Sequence, residues 1–242
     1  MKSRYHSVFI SDLHLGSVGC KSKETIKFLK NLECKNLYIV GDLIDVWVMK
    51  SFNQWTQDHT NVIQKILKNS KNNKLYYCPG NHDEILKQFC GNSFGNLVID
   101  SEFIYESIFG KRFFITHGDM YDSLVYSNPK LAKIVSHLYE HLTNLNFAIN
   151  RFLLKFKKKP INISSIVKLK FKSYIKHVSN FENKIIHAAK KYDCAGVICG
   201  HIHLPCKKDI DGIQYMNCGD WVENCTALVE HENGEWEIIY SR

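Results

Sequence analysis

Five times in this chain a short apolar run breaks off into a polar island built from glycine, histidine and acidic or amide residues. Val8-Phe9-Ile10 leads into Ser11-Asp12-Leu13-His14, residues 37–40 into Gly41-Asp42, and residues 75–78 into Pro79-Gly80-Asn81-His82-Asp83. Residues 112–116 lead into His117-Gly118-Asp119, and residues 195–199 into Gly200-His201-Ile202-His203. Short apolar runs bounded by turn residues read as strands, and residues 21–32 and 52–69, between the first three, read as amphipathic helices. Strands alternating with helices imply right-handed crossovers and an α/β fold. Ligands of such sheets gather beyond the carboxyl ends of the strands, so the first three islands are expected to meet at one sheet edge.

Further strands are expected at 103–108 and 112–116, joined by a turn at Gly110-Lys111. The stretch from Pro129 to about Tyr192 reads as largely helical, and the tail alternates strands at 206–210, 213–217, 226–230 and 236–240 with turns. No repeat, low-complexity tract or linker interrupts the 242 residues, which read as one domain, 1–242, with a helical insertion at about 125–192. Nine cysteines without a Cys-x-x-Cys pair read as buried, reduced thiols of a cytoplasmic protein. The first eleven residues lack the apolar core of a secretory leader. No uncharged apolar run reaches the roughly 20 residues of a membrane-spanning helix.

The islands hold four imidazoles, two carboxylates and one carboxamide, a donor set that suits borderline divalent ions. Two residues apart at a strand end, Asp12 and His14 are expected to point to the same side and share an ion, and His201 and His203 follow the same logic. Asp42 has two oxygens with which to bridge two ions. Asn81 adds a neutral oxygen ligand, and His117 completes the ligand set of the second ion. Each dipeptide alone is a common turn sequence; the ordered combination is what carries the expectation. Two such ions side by side can activate water and clamp an in-line displacement at phosphorus. His6, His59, His137, His141, His177, His187 and His231 lack such context and read as surface or ordinary partly buried residues.

The order Asp-x-His, Gly-Asp, Gly-Asn-His-Asp, His, Gly-His-x-His, from Asp12 to His203, resembles the calcineurin-like metallophosphoesterase superfamily. That resemblance implies a four-layer α/β/β/α sandwich with a helical cap. It implies Asp12, His14 and His203 on one metal, Asn81, His117 and His201 on the other, and Asp42 between them. His82 then stabilises the pentavalent phosphorus or protonates the leaving oxygen, and Asp83 orients His82. The implied cofactors are two divalent ions, Mn²⁺ first, with Fe, Zn, Co or Ni as alternatives. Within the superfamily the chain is most similar to the UDP-2,3-diacylglucosamine pyrophosphatase group of lipid A synthesis. The points of similarity are its length, the run Gly41-Asp42-Leu43-Ile44-Asp45-Val46-Trp47, the Asp122 that follows His117-Gly118-Asp119, and the position of the insertion. The best-defined members of that group have Arg where this chain has His82, which places it in a His-containing branch.

The net charge of +8 is uneven. Residues 130–176 hold eleven Lys or Arg and one acid, Glu140, and so carry +10, which leaves −2 for the rest of the chain. Leu138, Leu142, Phe147, Phe152 and Phe156 precede Lys157-Lys158-Lys159 in this stretch. It reads either as a helical hairpin with a solvated basic face or as a cap that takes acyl chains and meets anionic headgroups. Asp122, Lys168 and Lys172 are the expected substrate contacts. The expected partners are a nucleotide-sugar lipid substrate and the cytoplasmic surface of the inner membrane. The aromatics are not laid out as a stacking platform for nucleic acid. Asn217-Cys218-Gly219-Asp220-Trp221 reads as a turn packed behind the metals, with substrate contact by Asp220 or Trp221 as the alternative. Two rivals stand beside the lipid reading: a phosphoesterase for another substrate, and a scaffold that binds protein without catalysis.

Overall fold

The computed structural model describes residues 3–49, 55–71, 73–122 and 171–241, with side chains from 178 onward in the last segment. The expected insertion therefore lies outside the described residues up to 170, together with Lys168; Lys172 has only its backbone described.

Seven strands form one sheet and five another. The first has the order β12-β11-β1-β2-β3-β5-β4 and the second β6-β7-β8-β10-β9. β1 (Ser3–Ile10), β2 (Leu32–Val40), β3 (Lys74–Cys78) and β5 (Leu97–Ile99) run parallel, flanked by antiparallel β4 (Asn92–Phe94), β11 (Thr226–Glu230) and β12 (Trp236–Tyr240). In the second sheet β7 (Arg112–Thr116), β8 (Gly196–Cys199) and β10 (Ile213–Asn217) are parallel. Antiparallel β6 (Glu102–Glu106) and β9 (Cys206–Ile210) form its edges.

Strand alternation divides the core into three layers of side chains. Phe9, Tyr38 and Leu228 of the first sheet meet Tyr105, Phe113, Ile115, Ile198 and Met216 of the second. Val8, Ile10, Leu37, Ile39 and Leu75 point the other way, onto Leu29 of α1 (Ser22–Asn31) and Val62 and Ile66 of α2 (Gln57–Asn69). On the far side Phe114, Val197 and Tyr215 receive Phe181, Ile185 and Ala189 of α3 (Phe171–Lys191). The order of layers is thus α/β/β/α. Strands buried on both faces account for the near-continuous apolar runs of the sequence.

Three details differ from the sequence expectation. α1 ends at Asn31 and β2 starts at the next residue, so this strand is twice as long as its apolar part. α2 starts at Gln57 because Thr56 caps it: the Thr56 hydroxyl accepts from His59 N–H while His59 Nδ1 accepts from Thr56 N–H, a reciprocal capping box. That buries His59 in a structural task. The β4–β5 hairpin and the short 3₁₀ helix Glu84–Phe89 had no clear signal in the sequence.

Candidate metal centre

All five islands follow the carboxyl ends of parallel strands, β1, β2 and β3 in one sheet and β7 and β8 in the other. Their side chains converge, but not by strand alternation. Asp12 and His14 lie beyond β1 in left-handed backbone, with φ of 55° and 47°. Asp42, His201 and His203 share it, with φ of 50°, 67° and 55°. Five of the seven expected ligands thus occupy a region that costs L-residues about 1–2 kcal/mol each. Residues held in such backbone cluster at functional sites. The pairs Asp12/His14 and His201/His203 therefore share a side because each alternates a left-handed residue with the one between.

Neighbouring loops hold this backbone in place. Asp12 N–H donates to Gly41 O and His14 N–H to Asp42 O. Gly41 is itself at φ +86°, and a Cβ there would lie 2.0 Å from His117 Nδ1. Gly80 is equally tight, with its imaginary Cβ 2.2 Å from Asp42 Oδ1.

One group of candidate ligand atoms comes from Asp12, His14 and His203, and an adjoining group from Asp12, Asp42 and His117, each within 4.8 Å of one another. His203 Nε2 is 3.0 Å from Asp12 Oδ1 and 3.4 Å from His14 Nε2. His117 Nε2 is 3.3 Å from Asp42 Oδ2. The His201 ring lies edge-on to His117, 5.2 Å between centres.

The fit to metal ions can be tested on the hydrogen bonds. His117 Nδ1 lies 2.9 Å from the Val40 carbonyl, which only accepts, so Nδ1 carries the proton. In the neutral ring Nε2 is then a bare lone pair facing a carboxylate. Asn81 Oδ1 and His117 Nε2 are buried with no hydrogen-bond partner, and Asp12 Oδ1 has nothing nearer than the His203 ring nitrogen at 3.0 Å. These three lie on expected ligands, where a cation would satisfy them; His6 Nδ1 and Asn69 Nδ2 are orphaned as well, outside the islands. His14 Nδ1 is held by Asp45 Oδ2 at 3.0 Å, which turns Nε2 toward the centre. His201 Nε2 is held by Asp122 Oδ2 at 2.9 Å, which leaves its Nδ1 as the coordinating nitrogen. Carboxylates that fix the second nitrogen of a ligand imidazole are the usual support of a metal site.

The electrostatics agree. Burial pushes the Asp12 and Asp42 carboxyls up, but His203 and His14 around the first and His117 and His82 around the second outweigh it, and both end well below the ordinary range. Burial lowers the imidazole of His117, yet Asp42, Asp12 and Asp119 push it up to about 10. His14 is raised well above its usual value, and His203 is raised, against the same burial penalty. The pocket favours positive charge, which two divalent ions would supply.

Around the ligands, two expected roles change hands. Asp83 does not orient His82. Its carboxylate is fully buried and accepts from Gly80 N–H at 2.7 Å, Leu43 N–H at 2.7 Å, Ile44 N–H at 3.2 Å and the Tyr77 hydroxyl, which ties the second island to the third. The partner of His82 is Asp45, 2.7 Å from its Nδ1, and Trp47 stacks on the ring at 4.2 Å. Asp45 thus serves His14 with one oxygen and His82 with the other. Its sequence signal was the acid-x-Trp that follows Gly41-Asp42. Asp122 is buried against His201 and is not placed as a substrate contact. Lys168 and the Lys172 side chain lie outside the described residues. Asp220 and Trp221 are fully buried and pack behind the ligands.

Each island is also followed, within four residues, by a large apolar side chain in solvent: Val18, Val46, Ile85, Met120 and Leu204, 38–58% exposed. Single exposed apolar residues are ordinary. Here one follows every ligand-bearing island in the sequence.

The sequence profile of the calcineurin-like phosphoesterase family matches residues 5–205. The chain is 25% identical to the UDP-2,3-diacylglucosamine hydrolase of Haemophilus influenzae (strain PittGG), over 97% of this chain and 98% of that one. It is 26% identical to the protein of the same name from Shewanella frigidimarina (strain NCIMB 400), over 94% of each. Among solved structures, Vacuolar Protein Sorting 29 from Cryptosporidium parvum aligns over 97% of this chain and 95% of its own, at 11% identity and a TM-score of 0.46.

Proposed function

The chain belongs to the calcineurin-like phosphoesterase family and is a hydrolase of phosphoester or phosphoric anhydride bonds, and we propose that it cleaves UDP-2,3-diacylglucosamine to UMP and 2,3-diacylglucosamine 1-phosphate. The observation that carries this choice is the exposed apolar side chain, Val18, Val46, Ile85, Met120 or Leu204, that follows each ligand-bearing island. A soluble nucleotide has nothing to place on such side chains, whereas a diacylated sugar has two acyl chains. Relatives of that printed name, aligned over nearly the whole chain, support the same reading.

Asp12, His14 and His203 would hold one ion, Asn81, His117 and His201 the other, with Asp42 shared. Two divalent ions there, Mn²⁺ in our reading, would supply charge neutralisation at the phosphate and an activated water. The absence of thiolate among the ligands fits a borderline or hard ion. His82 has its Nδ1–H fixed by Asp45 and its face fixed by Trp47, so the imidazolium form would present its second N–H, on Nε2, to a phosphate or leaving oxygen. Asp83 keeps the loops of Asp42 and Asn81 in register.

The test is hydrolysis of UDP-2,3-diacylglucosamine and of deacylated UDP-glucosamine by the purified protein with Mn²⁺, with products identified by mass. UMP and the lipid 1-phosphate from the acylated compound alone are expected. Equal turnover of the two would end the lipid reading and leave the phosphoesterase. We place the enzyme at the cytoplasmic face of the inner membrane, where the lysines of residues 130–176 would meet anionic headgroups. Among the described residues no helix is long and apolar enough to cross a membrane. Charge reversal of Lys157, Lys158 and Lys159 should weaken binding to anionic vesicles at low salt; unchanged binding would remove the membrane from the reading.

A further inference from the structure

The segment after β10 does more than fill space behind the ligands. Trp221 N–H donates to the carbonyl of Asp12 at 3.0 Å. Asn224 Nδ2 donates to the carbonyl of His203 at 3.0 Å. Asp12 and His203 are the two first-metal ligands whose side chains stand 3.0 Å apart, and both are in left-handed backbone. One loop therefore grips the main chain of both.

The grip is itself braced. Asp220 Oδ1 accepts from Val222 N–H at 2.7 Å, Glu223 N–H at 2.5 Å and Asn224 N–H at 3.3 Å, and Oδ2 accepts from Asn224 Nδ2 at 2.5 Å. An amide nitrogen has two hydrogens. In Asn224 one goes to Asp220 and the other to His203. The flipped amide would set its oxygen against two acceptors, so the orientation follows from the network. From the other side Ser11 Oγ donates to Gly219 O at 2.8 Å, and Lys21 N–H to Trp221 O at 3.0 Å. Few side chains could take the place of Asn224: Asp has no donor, Leu has neither group, and Gln is one methylene too long.

We propose that Asn224 is a positioning residue of the first metal site, holding His203 through its carbonyl so that the imidazole faces Asp12 and His14. It touches neither metal nor substrate. Its loss should loosen one metal of the two. This rests on the two-metal reading of the centre and not on the lipid substrate.

The experiment is a calorimetric titration of chelator-stripped protein with Mn²⁺, read alongside the electron spin resonance of the coupled ion pair. For Asn224→Leu the expected result is a loss of about 10- to 100-fold in one stepwise affinity, the range typical of residues that support a ligand from behind. The other step should stay at the wild-type value and the coupled signal should fade at sub-saturating Mn²⁺. Asn224→Asp, with the same shape and no donor, should repeat the result and guards against a folding defect in the Leu variant. In a His203→Ala background, Asn224→Leu should have no further effect on metal affinity. Unchanged stepwise affinities, or an equal further loss in that background, would overturn the clamp. A wild-type protein that takes up fewer than two equivalents would overturn the two-metal reading, and the clamp with it.

Discussion

Gly41→Ala is the sharpest test of the centre, because one methyl group must enter the space between two ligand loops. Its Cβ would lie 2.0 Å from His117 Nδ1 and 2.2 Å from Cγ of the same ring, where even crowded contacts stop at 3.0 Å. The ring has to retreat by about 1 Å and give up its bond to the Val40 carbonyl, and an error of that size in a reacting centre costs on the order of 100-fold in rate. Stability falls by about 1–2 kcal/mol for an alanine at φ +86° and by about 1–3 kcal/mol for the overpacking. For a domain of this length the sum corresponds to a drop in melting temperature on the order of 10 °C. Gly91→Ala is the control. Gly91 has φ +82° but nothing within 4 Å of its imaginary Cβ, so it carries the backbone cost without the clash. The assay is hydrolysis of bis(p-nitrophenyl) phosphate at saturating Mn²⁺ with thermal melts of all three proteins. Gly91→Ala should lose a few degrees and keep its rate. A Gly41→Ala protein that binds both metals and turns over within about threefold of wild type would refute the placement of His117.

If the exposed apolar side chains beside the islands receive acyl chains, Ile85→Glu and Met120→Glu should each raise KM for the acylated sugar nucleotide about tenfold, the worth of one apolar side chain, and leave bis(p-nitrophenyl) phosphate untouched. Equal effects on both substrates would count against it. In the metal-free protein His117 sits near pKa 10 against 6.5 in an unfolded chain, so its contribution to stability is complete below pH 6.5 and is lost as pH climbs through 10. Buried thiols such as Cys78, also raised, add their own loss only above their ordinary 9.0. Because Mn²⁺ replaces the imidazole proton, the fall in melting temperature between pH 6.5 and 9 should flatten when Mn²⁺ is added, and an unaltered slope would contradict the assignment. Asp83→Asn keeps the volume but turns an amide donor on backbone N–H groups, and should cost about 2–4 kcal/mol in denaturant unfolding; a loss under about 1 kcal/mol would mean those bonds are not structural.

The meeting of the islands was legible because each ends an apolar run, and a buried strand that stops at Gly-Asp or Gly-Asn has nowhere to send polar groups except the sheet edge. The last four strands match residue for residue, since turn pairs such as Asp211-Gly212 and Asn233-Gly234 bound them. The way the ligands converge was not legible. Period-two geometry explained Asp12 and His14 in the wrong manner, because left-handed backbone leaves little trace in composition; Asp and His merely tolerate it. The second row of carboxylates was misassigned for a related reason. Asp45, Asp83 and Asp122 look alike as letters, and only burial and direction separate the residue that orients two imidazoles from the one that ties loops together. The β4–β5 hairpin escaped because Asn92–Phe94 is three exposed residues with no alternation to read.

The strain at the ligands raises a question of what bears it, metal or protein. The hydrogen bonds answer for the protein. Asp12 is held by Gly41 O and Trp221 N–H, His14 by Asp42 O, His201 N–H by Asp12 Oδ2 and His203 by Asn224. The centre should therefore keep its shape when stripped, unlike small zinc domains that unfold without metal. What chelation removes is the charge that pairs Asp12, Asp42 and the orphaned atoms of Asn81 and His117. Mass action sets the size of that loss: for each ion present at 100 to 1,000 times its dissociation constant, about 3–4 kcal/mol. Stripping both metals should lower the melting temperature by on the order of 20 °C for a chain of this length while far-ultraviolet circular dichroism at 25 °C stays unchanged. A protein that loses its helix and sheet signal on chelation would show instead that the metals, and not the loops around Asp12 and His203, hold the ligands in left-handed backbone.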